Sequence, residues 1–131
     1  MRATKSRGNS FTGDCVMGVV TAEGKVKMFV RKFMREHFHD HFYYSPMGGA
    51  FGKSGMPDHI YLINGILVCI EIKADKGKLS ALQEQTLKQL SKRGALCAVV
   101  YGKDEAKMLR IKEAILKERQ KRTEHVAAST V

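Results

Sequence analysis

No stretch of this chain approaches the ~18 consecutive apolar residues that a membrane-crossing helix requires. The first ten residues, MRATKSRGNS, are basic but lack the apolar run of a secretory signal. Cysteine is scarce: Cys15, Cys69 and Cys97 are an odd number with no metal-type spacing, which argues against a disulfide framework and a thiolate metal site. Cys69 and Cys97 lie in apolar runs, as reduced core thiols of a cytoplasmic protein do. Internal repeats and low-complexity segments are absent as well. Acidic residues are few, with 13 Asp and Glu against 23 Lys and Arg in 131 residues, a net charge of +10. Such an excess points to a polyanionic partner, most often nucleic acid.

What is present suits one globular domain: 44% hydrophobic and 27% charged residues. Residues 1–20 show no periodicity and read as a flexible basic arm. From Ala22 the residues Val26, Phe29, Val30, Phe33 and Met34 recur at helical steps, with Thr21 as N-cap. FYYS (42–45) has the aromatic density of a short strand. HIYLI and ILVCIEIK are β-rich runs joined by Asn64-Gly65, the pair that favours a two-residue type I′ hairpin. Ser80 then caps a helix with Leu82, Leu87 and Leu90 inward, ended by Gly94. ALCAVVYG (95–102) reads as a strand buried on both faces. A last helix from Asp104 turns Met108, Ile111, Ile115 and Leu116 inward, and the tail after Gln120 reads as frayed. The predicted architecture is α/β, a mixed sheet of about four strands flanked by helices in the order α-β-β-β-α-β-α, with the 66–73 and 95–101 strands parallel. Residues 21–120 form its single domain and 121–131 its tail.

The glycine-rich stretch MGGAFGKSGMPD (47–58) ends a Gly-Lys-Ser triplet like that of a phosphate-binding loop. That loop demands a glycine five residues before Gly52, where Met47 stands, and a helix after the serine, where Gly-Met-Pro-Asp and a strand follow. No nucleotide cofactor is expected. Lys53 and Ser54 remain candidates for contact with DNA phosphates.

Counting outward from Asn64-Gly65 places Asp58 opposite Glu71, with Cβ atoms about 5 Å apart on one face. Strand alternation turns Lys73 to the same side. Opposed carboxylates in an apolar run are costly unless a cation lies between them. Lys73 could supply it, as a partly buried salt bridge. So could a hard divalent ion, since Mg²⁺ is held by one or two carboxylates together with water and phosphate oxygens.

Pro57-Asp58, followed after twelve residues by Glu71-Ile72-Lys73, resembles the signature of the PD-(D/E)xK nuclease superfamily. The surrounding text, GMPD, then IEIKADKGKLSALQEQTLKQL, then GALCAVVYG, is similar to the VRR-NUC family over about residues 22–102. Asp75-Lys76 departs mildly from relatives, which often carry a small residue or proline there. The resemblance implies a restriction-endonuclease-like fold and a Mg²⁺- or Mn²⁺-dependent endonuclease. Asp58, Glu71 and the Ile72 backbone carbonyl would be metal ligands, and Lys73 the catalytic lysine. Glu23 would match an early metal-holding glutamate, or simply favour the helix N-terminus as an acid. Gln85 would match a helix glutamine near the active centre, or be a solvated helix residue. Lys76 and Lys78 join Lys53 and Ser54 as nucleic-acid contacts. Small stand-alone members, many from bacteriophages, resemble Holliday-junction resolvases, which implies a homodimer on four-way or branched DNA. The alternative is a non-catalytic nucleic-acid-binding module that keeps the fold. HFHDH (37–41) reads as helix-end histidines and not as a zinc site. Phe42, Tyr43 and Tyr44 are open to base stacking or to core packing.

Overall fold

A computed structural model describes residues 15–16, 19–46 and 54–129, with residues 15, 16 and 129 by backbone alone. Two short strands, β1 (Cys15–Val16) and β2 (Val19–Val20), pair antiparallel at the end of the segment read as an arm. Residues 1–14 lie outside the description.

Helix α1 (Ala22–His37) starts where Thr21 accepts a side-chain hydrogen bond from the Gly24 amide at 3.0 Å. Its apolar stripe buries Val26, Val30, Phe33 and Met34. The sheet follows as β3 (Phe42–Tyr44), β4 (His59–Ile63), β5 (Ile66–Lys73) and, after helix α2 (Ala81–Lys92), β6 (Leu96–Tyr101). Strand order is β3-β4-β5-β6, antiparallel through β5 and parallel between β5 and β6. The mixed four-stranded sheet flanked by helices is therefore as the residue pattern predicted. Alternate strand residues Tyr61, Ile63, Ile66, Val68, Ile70, Ile72 and Val100 form one core with the stripe of α1 and with Met108, Ile111 and Ile115 of α3 (Glu105–Ser129).

Asn64 (φ 50°) and Gly65 (φ 79°) both adopt left-handed backbone, as a type I′ turn demands. The register runs from Ile63 opposite Ile66 to His59 opposite Ile70. One further step along the same ladder sets Asp58 against Glu71.

Three details of the sequence reading need correction. Among the described residues β6 lies at the edge of the sheet, so Leu96 to Val99 are half-buried and only Val100 is fully enclosed. An unbroken apolar run does not distinguish an edge strand from a central one. Leu82 and Leu116 lie exposed, at 46% and 41%, although Leu87, Met108, Ile111 and Ile115 are buried as expected. The residues after Gln120, expected to fray, are helical, and α3 runs on to Ser129. Gln120 donates to Glu124 and Arg122 to Glu118 at one-turn spacing, and Arg122 also donates to the Gly65 carbonyl at 2.7 Å. Among the described residues, no helix is long and apolar enough to cross a membrane.

Candidate active site

Asp58 and Glu71 are positioned by the hairpin and differ in surroundings. Asp58 Oδ2 accepts a hydrogen bond from the Ile72 amide at 2.9 Å, a cross-strand tie that fixes the carboxylate against β5. Its other oxygen, Oδ1, lies 3.5 Å from Lys27 Nζ. Ser45 Oγ donates to the Asp58 carbonyl at 2.9 Å, tying the end of β3 to the same corner.

Glu71 is 1% exposed. Its Oε1 accepts from Gln83 Nε2 at 3.1 Å and lies 3.8 Å from Lys73 Nζ. Oε2 is buried with no hydrogen-bond partner. Burial raises the Glu71 pKa to about 9. The adjacent Asp58 carboxyl pushes the same way, by sharing the proton and as a like charge, and Glu23 adds a smaller repulsion. Lys73 opposes the shift without cancelling it.

The pair accordingly has the donor set for a hard cation. It offers two carboxylates on adjacent strands, with an orphaned buried oxygen that gains most from a positive partner. Among the described residues no three His, Cys, Asp or Glu side chains converge as a ready-made metal cage. Two carboxylates suit an ion such as Mg²⁺ that keeps several waters.

The remaining candidates divide. Glu23 is half-buried in the first turn of α1, near enough for its charge to act on Glu71. Ile72 sits between Glu71 and Lys73 on β5, its amide on Asp58. Ser54, Lys76 and Lys78 are exposed, and Lys53 lies outside the described residues. The chain after Ser54 turns and enters β4 with no helix, as the argument against a nucleotide loop required.

Gln85 is exposed, and the glutamine that meets Glu71 is Gln83. At 100° per residue, positions 83 and 85 point to nearly opposite sides of a helix, so only one can face the sheet. The signal was available: the Leu-x-x-x-Gln helix start, counted from Leu79, ends on Gln83. Gln83 Oε1 also accepts from the Ser80 amide at 2.9 Å while Ser80 Oγ accepts from the Gln83 amide, forming a capping box. The residue that starts α2 is thus the one that orients Glu71. Lys27 is the other participant that sequence reasoning missed. It stands one turn beyond Glu23 on α1, a spacing visible in the sequence, but its contact with Asp58 is tertiary.

His37, His41 and Tyr43 make contacts within the fold. Arg31 donates to His41 at 2.7 Å and stacks over Tyr43 at 3.8 Å, His41 also bonds the Phe38 carbonyl, and Lys112 reaches His37 at 3.1 Å. Tyr43 packs against the core, whereas Phe42 and Tyr44 are exposed.

The sequence matches no protein-family model and no curated protein. The fold matches a solved structure described as a VRR_NUC domain. The TM-score is 0.52 at 20% identity, covering 75% of this chain and 97% of that one. The chain therefore has the fold of that domain.

Proposed function

We propose that this protein is a VRR-NUC-type DNA endonuclease that hydrolyses phosphodiester bonds with Mg²⁺ or Mn²⁺. The observation that carries the reading is Glu71. It is an acid 1% exposed, one ladder step beyond the pair of His59 with Ile70 and beside Asp58, whose Oδ2 takes the Ile72 amide. One Glu71 oxygen is unpartnered among the described residues, and a lysine lies 3.8 Å from the other. A fold maintains such a costly arrangement where a cation completes it. Asp58, Glu71 and the Ile72 carbonyl would hold the ion, with Glu23 acting directly or through water. The bound ion would supply Lewis acidity toward the scissile phosphate and lower the pKa of the attacking water.

The chain's own residues supply the rest. Lys73, whose side chain is 14% exposed, holds its ammonium beside Glu71. From there it can orient the attacking water and stabilise the negative charge that grows on the phosphoryl oxygens. Gln83 keeps Glu71 Oε1 turned toward α2, leaving Oε2 for the ion. Lys76 and Lys78, exposed in the segment that joins β5 to α2, would hold the DNA backbone. Action as a homodimer on four-way or branched DNA in the cytoplasm is proposed from the family resemblance.

A non-catalytic DNA-binding module is the second reading. One observation favours it: Lys27 and Lys73 already lie against the two acids. Incubating the purified protein with four-way, flap and linear DNA under Mg²⁺, Mn²⁺ or chelator separates the two. Metal-dependent cutting that Glu71→Ala and Lys73→Ala abolish, in folded protein, supports the nuclease. Salt-sensitive binding with no cutting in any metal supports the module.

A further inference from the structure

Of the four carboxylate oxygens of Asp58 and Glu71, three already face a donor or cation within the chain. Asp58 Oδ2 takes the Ile72 amide, Asp58 Oδ1 faces Lys27 Nζ at 3.5 Å, and Glu71 Oε1 takes Gln83 and faces Lys73. Among the described residues, only Glu71 Oε2 has neither a nitrogen donor nor a cation against it. An ion gripped by both acids needs an oxygen from Asp58. Oδ2 is held by a backbone amide that belongs to the sheet and cannot swing away. Oδ1 is held by an ammonium on a flexible four-carbon stem, 18% exposed at the rim of the site. Lys27 is therefore the contact most free to yield.

Resting on the metal-dependent reading above, we propose that Lys27 is a positioning residue that occupies the metal-facing oxygen of Asp58 and transfers to a DNA phosphate when substrate arrives. A lysine is a mobile point charge suited to both anions, and DNA presents a denser negative field than one carboxylate. Until a phosphate draws Lys27 off, its charge competes with the ion. Afterwards the same charge holds DNA and the oxygen is available. Metal and DNA then bind with positive coupling, each tightening the other by the same factor. Lys73 does not serve this purpose, because its carboxylate partner already has an open second oxygen.

The test uses the whole chain with Mn²⁺ alone as probe, its binding followed by electron paramagnetic resonance of the free ion. Lys27→Met should bind Mn²⁺ about tenfold more tightly than the parent protein, and Lys27→Arg, which keeps the charge, should restore the weaker binding. In a second measurement, fluorescence anisotropy of a labelled DNA, Ca²⁺ should tighten DNA binding by the parent protein relative to chelator. Lys27→Met should lose most of that gain. Equal or weaker Mn²⁺ binding by a folded Lys27→Met protein overturns the inference and leaves a plain structural ion pair, which would show only as a lowered Tm. If neither the parent protein nor Lys27→Met binds Mn²⁺, with or without DNA, the metal-dependent reading itself fails and this inference with it.

Discussion

Gln83 and Glu71 are joined at 3.1 Å, so the first turn of α2 and the acidic end of β5 share one hydrogen bond. The same amide closes the capping box on Ser80. Replacing Gln83 by Ala should therefore have two separable effects. Loss of the cap costs about 1 kcal/mol, readable as a lowered Tm. Loss of the bond leaves Glu71 free to turn, and cleavage should fall about 10–100-fold, the range seen when the partner that orients a metal ligand is removed. Gln85→Ala, on the exposed side, should leave both values unchanged.

The raised pKa of Glu71 makes stability depend on pH in a definite direction. Its carboxyl ionises near 4.5 when unfolded and near 9 when folded. Between those values the folded state holds the extra proton, so metal-free stability falls as pH rises through that window. Thermal melts from pH 5 to 9 in chelator should show Tm declining. Glu71→Gln should flatten the decline and raise Tm at pH 8 by about 4 °C. A metal-free Tm that rises with pH across the window would contradict the assignment.

Gly102 follows β6 with φ 63° and donates its amide to the Lys73 carbonyl at 2.8 Å. A Cβ built there would lie 1.8 Å from Asp75 Oδ1. Gly102→Ala should cost about 1–2 kcal/mol in denaturant titration. Adding Asp75→Ala should remove the clash and leave the smaller cost of left-handed backbone.

Arg122 bonds the Gly65 carbonyl from across the fold. A chain stopped after Lys121 should remain folded and lose about 0.5–1 kcal/mol. The loss should be localised, as faster amide hydrogen exchange at the 64–65 turn than elsewhere in the sheet.

Local chemistry explains which features could be read without coordinates. Asn64-Gly65 sets a turn type, a turn type sets a register, and the register opposes Asp58 and Glu71, so the acidic pair followed from counting. Thr21 and Ser80 announced their helices in the same way. Features that depend on which surface faces which neighbour were not legible. Nothing within ALCAVVYG states that β6 has a neighbour on one side only, and nothing near Lys27 states that Asp58 awaits it. The continuation of α3 past Gln120 depends in part on a contact with residue 65, far away in the chain. Gln83 differs from these, because the Leu-x-x-x-Gln spacing from Leu79 makes it legible in the sequence.

The hairpin works as a ruler with parity. A single residue inserted into either β4 or β5 would rotate one acid into the hydrocarbon interior and leave the other facing outward. A matched residue added to each strand would lengthen the ladder while keeping the acids face to face. The hairpin is thus free to change length in paired steps, and any odd step would dismantle the acidic corner.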